Sequence, residues 1–268
     1  MSLPSLTGPA DEALRAVLGE TPLARCVVHE WPLSRVERLE TAFGRYALKT
    51  QRLGTGVERA FYEAVDDPLL LRPLCGGRTE DAEWLLLPWI NAAPEDWSIK
   101  TDAEIRRRVG ELSRAFASWK GAPVFFDFSA PEKFAAALVA VRATLIAGGL
   151  TEPEWDAARA WLEGPGAACW DAPCGLLHGD LKGENLLGGR VIDWQRPLLG
   201  PLPLEESVAL FLEGREPASG DPFAALNYLY HAHWYAWAFD HCLPLTFVRG
   251  QAVERFRSAL GVIGGGKG

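Results

Sequence analysis

Three oxygen-bearing residues, Asp180, Asn185 and Asp193, stand five and eight positions apart in a stretch otherwise made of apolar pairs and glycine. The run Gly175-Leu-Leu-His-Gly-Asp-Leu-Lys-Gly-Glu-Asn-Leu-Leu187 is followed by Gly188-Gly-Arg-Val-Ile-Asp-Trp-Gln195. Leu176-Leu177, Leu186-Leu187 and Val191-Ile192 read as short strands, separated by a polar loop and a Gly188-Gly189 turn. That layout brings the three polar residues toward one point. The chemistry they suit is phosphoryl transfer. Asp180 is a carboxylate that can orient an acceptor hydroxyl and take its proton, and Asn185 and Asp193 are hard oxygen donors for Mg2+ on nucleotide phosphates. Each residue singly is also an ordinary turn residue; it is the set, at these spacings, that points to chemistry.

The elements that must position this set follow from periodicity. Asp11 to Leu18 reads as a short helix. Leu23 to Trp31, Arg35 to Phe43 and Arg45 to Gln51 read as strands joined by turns at Pro32-Leu33-Ser34 and Gly44, an antiparallel meander. Gly54 to Val65 reads as a helix with Val57, Phe61, Tyr62 and Val65 as its apolar stripe. Leu69 to Cys75 is a fourth strand or its approach, and Glu83 to Ile90 a strongly apolar strand. The rest reads as mostly helical. Thr101, Ser129 and Thr151 each precede a glutamate by three positions, the mark of a capping box. The first of these helices carries Ile105, Val109, Leu112, Phe116 and Trp119 on one face; the others span Pro131 to Ile146 and Glu154 to Leu162. Leu204 to Leu212 and Phe223 to Cys242 follow, the latter with an Asp221 cap and Pro222 at its first position. That helix is crowded with aromatics, among them Tyr230, His231, His233, Trp234 and Trp237. Thr246 to Leu260 closes the chain, with Phe247, Val253, Phe256 and Leu260 as packing residues, and the Gly-rich stretch 261–268 is expected to fray.

Composition narrows the function classes. With 268 residues and 48% apolar content the chain can bury a sizeable core. A net charge of -8, only 27 Lys and Arg, and no basic run argue against a nucleic-acid partner. Five cysteines at irregular spacings fit mostly buried thiols in a reducing compartment. No apolar run reaches membrane-spanning length and the N-terminus lacks a secretion pattern, so a cytoplasmic protein with no membrane partner is expected. Oligomeric state is not legible.

The segment His178-Gly-Asp180, Asn185 and Ile192-Asp-Trp194 resembles the catalytic core of the aminoglycoside phosphotransferase and choline kinase family of small-molecule kinases. The resemblance implies an α+β, bilobal protein-kinase-like fold, with a small antiparallel-sheet lobe over residues 1–90 that binds nucleotide. A mostly helical lobe over residues 91–268 would then carry catalysis and acceptor binding. It implies ATP and Mg2+, with Asp180 catalytic and Asn185 and Asp193 as metal ligands. Lys49, in Tyr46-Ala-Leu-Lys-Thr50, takes the place of the strand lysine that contacts the α and β phosphates; alone, it would read as a solvated strand residue. Glu58 matches the glutamate that pairs with it, with Glu63 as the rival on another helix face. Backbone near Leu87, Trp89 and Ile90 would meet the adenine edge, and Trp89 either stacks on the base or covers the connection. Lys182 stands where a cation can touch the transferring phosphoryl group, or is a solvated loop lysine. His178 supports the loop backbone.

Two departures qualify the resemblance. The phosphate-covering loop, Glu30-Trp-Pro-Leu-Ser34, has no glycine, leaving Ser34 and backbone N–H groups as phosphate contacts. Gly200-Pro201 fits the turn that follows the metal aspartate. The aspartate that usually starts the next helix and braces the catalytic loop is absent, with Glu205 or Glu206 as substitutes. The expected activity is transfer of the ATP γ-phosphoryl group to a hydroxyl of a small molecule, such as an aminoglycoside, an amino-alcohol or a sugar. A cationic amine or a sugar suits the tryptophan-rich late helix, which is equally readable as aromatic core. The alternatives are a kinase-like nucleotide-binding protein without turnover, and a protein Ser/Thr kinase.

Overall fold

The structure, a computed structural model, describes residues 6–218 and 220–265. In chain order its first elements are α1 (Asp11–Leu18), β1 (Ala24–Trp31), β2 (Ser34–Glu40), β3 (Arg45–Arg52), α2 (Glu58–Ala64), β4 (Cys75–Arg78) and β5 (Ala82–Pro88). Then come α3 (Asp102–Phe116), β6 (Phe126–Asp127), α4 (Pro131–Ala147), α5 (Glu152–Glu163), β7 (Cys174–Leu177), β8 (Leu186–Leu187) and β9 (Arg190–Val191). The last are β10 (Leu198–Pro201), α6 (Pro203–Leu212), α7 (Pro222–His241) and α8 (Thr246–Gly265). The architecture is α+β, with an antiparallel sheet in the N-terminal region and a helical C-terminal part, as expected. Among the described residues no helix is long and apolar enough to cross a membrane.

The chain divides into two compact units, each discontinuous in sequence. One comprises Met1–Asp96, Gly121–Phe125 and Gly183–Arg196; the other comprises Trp97–Lys120, Phe126–Lys182 and Pro197–Gly268. The first unit is built on a five-stranded sheet of order β1-β2-β3-β5-β4, antiparallel throughout. The expected meander is its first three strands. Leu39, Leu48 and Leu86 are fully buried on one face, where Leu14 of α1 and Trp84 complete the cluster. The β8–β9 hairpin belongs to this unit as well. Its turn is Gly188-Gly189, with φ of 56° and 77°, a left-handed pair that glycine adopts without steric cost. The Val191 N–H donates to Leu69 O at 2.7 Å and ties the hairpin down.

The helix expected from Gly54 starts only at Glu58. The preceding residues are committed elsewhere. A Cβ on Gly56 would lie 2.4 Å from Gln195 O, and the Val57 N–H donates to that same carbonyl at 2.8 Å. A backbone approach this close leaves no room for a helical turn with side chains. The approach to the fourth strand, residues 69–74, is irregular, and the strand itself begins at Cys75.

The second unit is helical around one core, with Phe134, Phe256, Leu226 and Leu229 fully buried in it. All five stripe residues from Ile105 to Trp119 are buried. The capping boxes at Thr101 and Thr151 are formed. The one expected at Ser129 is not: α4 is capped by Ala130 without a side-chain bond. Ser129 Oγ instead donates to Asp127 Oδ1 at 2.6 Å and accepts from Lys133 Nζ at 3.0 Å. A second correction concerns Gly200-Pro201, which is no turn but the end of β10. Gly200 pairs with Gly175 of β7 in a three-stranded sheet of order β6-β10-β7. Phe247 is 67% exposed rather than packed, and α8 runs on through Gly265; the last three residues of the expected fraying tail lie outside the described residues. The five cysteines are unpaired, and only Cys169 and Cys242 are buried, fewer than expected.

The contrast between caps is measurable. Thr151→Ala removes a formed capping box and should cost about 1 kcal/mol in equilibrium urea unfolding. Ser129→Ala removes only an exposed side-chain cluster and should stay within about 0.5 kcal/mol of wild type.

Candidate active site

Lys49 lies on β3, opposite Val36 of β2 and Leu85 of β5, so its strand is flanked on both edges. The side chain is only 10% exposed, and Nζ reaches Glu58 Oε1 at 2.9 Å and Oε2 at 2.7 Å. It also donates to Asp193 Oδ1 at 2.6 Å. Burial by itself pushes the ammonium pKa down, but the charges of Asp193 and Glu58 outweigh it and leave Lys49 raised, so it is held as the cation. Burial pushes Glu58 up, against the pull of Lys49. Glu63, the rival, is on the outer face with Arg59.

Aromatic packing fixes where these carboxylates stand. Phe61, one turn after Glu58, stacks on Trp194 with centroids 4.4 Å apart and planes 8° from parallel. Both rings are fully buried. Trp194 immediately follows Asp193, so the stack sets the helix bearing one carboxylate against the segment bearing the other. Asp193 has φ of 71°, the one left-handed non-glycine among the described residues. Aspartate tolerates this region better than bulky residues, and such backbone strain concentrates at functional sites. Its side chain remains 33% exposed.

Asn185 is buried and ends a 3-10 turn, Gly183–Asn185, just before β8. Its carbonyl accepts from the Ile192 N–H at 3.0 Å, which brings it beside the residue that precedes Asp193. Lys49, Glu58, Asn185 and Asp193 therefore all belong to the first unit. A carboxylate and an amide oxygen form a hard, oxygen-only donor pair, which fits Mg2+ and not a thiolate- or imidazole-seeking metal.

The remaining residues picked from the sequence lie outside this cluster. Ser34 is buried as the first residue of β2, and its hydroxyl accepts from Trp31 Nε1 at 2.6 Å. Leu87 is inside the β3–β5 ladder opposite Ala47. The Trp89 N–H donates to Arg45 O at 3.2 Å, and its ring lies 5.9 Å from the Arg38 guanidinium carbon. Trp89 and Ile90 both follow the ladder, which ends at Pro88. Arg196, which sequence reasoning passed over, sits with its guanidinium 5.7 Å from the Trp31 ring at the tip of the glycine-free loop. The only signal for it was its place three residues after Asp193.

Asp180 and Lys182 belong to the second unit, in a loop whose backbone is clamped from two helices. Glu205, in the first turn of α6 and fully buried, accepts from the His178 N–H at 2.5 Å and the Gly179 N–H at 3.2 Å. Glu206 faces outward toward Arg106. Between the two candidates for the absent aspartate, the structure puts Glu205 on the loop. Tyr230 of α7 donates its hydroxyl to Gly179 O at 3.1 Å. From the sequence alone Tyr230 is one aromatic among many on this helix. The Asp180 N–H donates to His178 Nδ1 at 3.3 Å, the supporting bond expected of that ring. Burial drives the Glu205 carboxyl up to about 7, against the backbone donors that favour the anion and with the nearby Asp180 charge adding to the rise.

The sequence profile of the phosphotransferase enzyme family matches residues 31–239, and the chain belongs to that family. That membership defines the chain as a phosphotransferase enzyme. The apo form of a thermostable mutant of aminoglycoside phosphotransferase APH(4)-Ia is similar at 17% identity and a TM-score of 0.59, covering 94% of this chain and 100% of that one. A choline/ethanolamine kinase family protein from Mesorhizobium loti is similar at 16% identity and a TM-score of 0.56, covering 94% of each chain. Spectinomycin phosphotransferase APH(9)-Ia, in complex with ADP and spectinomycin, is similar at 10% identity and a TM-score of 0.55, covering 96% and 99%. No curated protein sequence matches the chain.

Two stability measurements follow from this geometry. Lys49→Met leaves Glu58 buried without its cation and should cost about 3–5 kcal/mol, whereas Glu58→Gln, which leaves Lys49 paired with Asp193, should cost clearly less. For Glu205 the folded-state pKa lies above that of the unfolded chain, so the folded state binds the extra proton between about 4.5 and about 7. Its contribution is most favourable below that window and is lost as pH rises through it. The stability of wild type relative to Glu205→Gln, from urea melts, should therefore fall between pH 5 and pH 8; a gap that stays flat would refute the assignment.

Proposed function

We propose that the protein is an ATP- and Mg2+-dependent kinase that moves the γ-phosphoryl group to a hydroxyl of a small molecule. The observation that carries this reading is Lys49 held between Glu58 and Asp193. A structural ion pair needs one carboxylate; here a second, partly exposed and in a left-handed conformation, shares the same ammonium. That arrangement suits a grip on phosphates beside a divalent cation. Lys49 contacts the α and β phosphates and Glu58 keeps it aimed. Asn185 and Asp193 hold the metal, which when bound neutralises charge on the phosphate oxygens. Ile90 offers its backbone to the adenine edge, because the Trp89 N–H is already engaged. Asp180 orients the acceptor hydroxyl and takes its proton as the new P–O bond forms and the bond from the γ phosphorus to the leaving ADP oxygen breaks, and Lys182 offers a cation to the transferring group. Nucleotide binding falls to residues 1–90, and catalysis and acceptor binding to residues 91–268.

The acceptor class we favour is an amine-bearing alcohol. Trp234 and Trp237 of α7 stack at 5.6 Å, and Trp237 stacks on His241 at 4.6 Å, a partly exposed aromatic run that can face a cation. Structural relatives were solved with hygromycin B or spectinomycin, or are named as ethanolamine kinases. The test is ATP consumption with Mg2+ against aminoglycosides, choline, ethanolamine and sugars. An amine-bearing acceptor should give turnover that Asp180→Ala lowers by about 10²–10⁴-fold. Full activity in both Asp180→Ala and Asp193→Ala would sink the reading.

A further inference from the structure

The tip of the β1–β2 hairpin is docked onto its own sheet. Leu33 is fully buried, and its carbonyl accepts from the Arg52 N–H at 2.9 Å. Ser34 is 2% exposed, and its hydroxyl is engaged by Trp31 Nε1 at 2.6 Å. Pro32 has no N–H to offer. A phosphate reaching this end of the sheet therefore needs a partner other than the tip itself, Ser34 included.

Register shows which face the tip serves. Ser34, Val36 and Arg38 of β2 lie opposite Gln51, Lys49 and Ala47 of β3, and Trp31 lies opposite Ser34. Residues directly opposite, and those two apart on one strand, share a face, so Trp31 and Lys49 stand on the same side of the sheet. Pro88, where β5 leads out to Ile90, is opposite Tyr46, on the other side of Lys49 from Gln51. At about 3.3 Å per residue the Gln51–Ser34–Trp31 row lies roughly 7 Å past Lys49, away from Ile90. With the base by Ile90 and the α and β phosphates by Lys49, as proposed above, the last phosphate falls toward that row.

A cation is held there. The Arg196 guanidinium carbon lies 5.7 Å from the Trp31 ring centroid, and Nη1 donates to Gln195 Oε1 at 3.0 Å. Gln195 is buried, with its carbonyl fixed by the Val57 N–H at 2.8 Å. Arg196 itself is half-buried. It is also close to the Lys49 cluster: burial raises the Glu58 carboxyl, Lys49 and Asp193 act on it next, and the Arg196 charge draws it down as well. A planar guanidinium already stacked on a ring is set to meet two phosphate oxygens at once, with little freedom left to lose.

We propose that Arg196 is a ligand of the terminal nucleotide phosphate and that Trp31 is the positioning residue that aims it, taking the part of a glycine-rich turn. The inference rests on the nucleotide reading above and names a further residue of that site. The test is calorimetric titration of the full chain with ATP, ADP and AMP, each with Mg2+ and without acceptor. Arg196→Gln should weaken ATP by about tenfold or more and leave AMP unchanged, so the ratio of ATP to ADP affinity narrows. A residue that only supported the fold would weaken all three together. Trp31→Leu should narrow the same ratio, and should add nothing further in the Arg196→Gln background; it decides the matter should Arg196→Gln fail to fold. ATP binding by wild type with an ATP-to-ADP ratio unchanged in Arg196→Gln or in Trp31→Leu would overturn this inference alone. Absence of ATP binding by wild type would overturn the nucleotide reading, and this inference with it.

Discussion

A buried ammonium sets the terms for the first unit. Taking Lys49 out of water is costly unless its charge is matched at hydrogen-bond distance. The match requires α2 and the segment after β9 to be held on the same side of β3. The Phe61–Trp194 stack, the Val57–Gln195 backbone bond and the close approach at Gly56 all serve that end. Two carboxylates on one ammonium leave an excess negative charge, and the carboxylate that keeps solvent exposure is Asp193. An oxygen-rich, net negative corner beside a fixed cation is the electrostatic setting in which a divalent ion and a polyanionic phosphate chain can be accommodated together.

The second unit meets a different constraint, a buried loop whose backbone groups must find partners away from water. Glu205 answers with a carboxylate turned onto the His178 and Gly179 N–H groups, and Tyr230 answers with a hydroxyl on the Gly179 carbonyl. Consecutive peptide groups are thus held from two helices at once, just ahead of Asp180. A glutamate can do this work because it sits in the first turn of α6, where the helix N-terminus favours its charge. Burial nonetheless brings the group close to its protonated form near neutrality. The clamp is therefore a balance between desolvation and backbone donors.

Much of this was legible from residue order. The meander, the stripe from Ile105 to Trp119, and the caps at Thr101, Thr151 and Asp221 are local patterns, and local patterns survive folding when packing agrees with them. Lys49, Glu58, Asp180, Asn185 and Asp193 could be picked because they form a compound motif. What escaped was non-local. Strand β6 is two residues long and pairs in parallel with β10 some seventy positions later, so no periodicity announces it, and Gly200-Pro201 reads as a turn. Ser129 sits three before a glutamate, yet Asp127 and Lys133 claim its hydroxyl. The Tyr230–Gly179 bond spans 51 positions, and one hydroxyl in a helix full of aromatics carries no signal of its own. Phe247 was read as core from its type alone, whereas exposure is decided by which face of α8 finds a partner.

Helix α7 shows why the motif and the acceptor are separate questions. Polar and apolar residues do not segregate into stripes along it; depth, not face, sorts its aromatics. His231 and His233 are buried, with burial driving both to about 4, so they are neutral packing residues at neutral pH. His233 packs edge-on against Phe126 and Phe128, and His231 donates Nδ1–H to the Asn227 carbonyl. Trp234 and Trp237 keep partial exposure. The same helix also supplies Tyr230 to the loop. Substitutions along α7 can therefore change the exposed aromatic run while Tyr230 keeps the loop in place, and sequence similarity confined to residues 178–195 carries no information about that run.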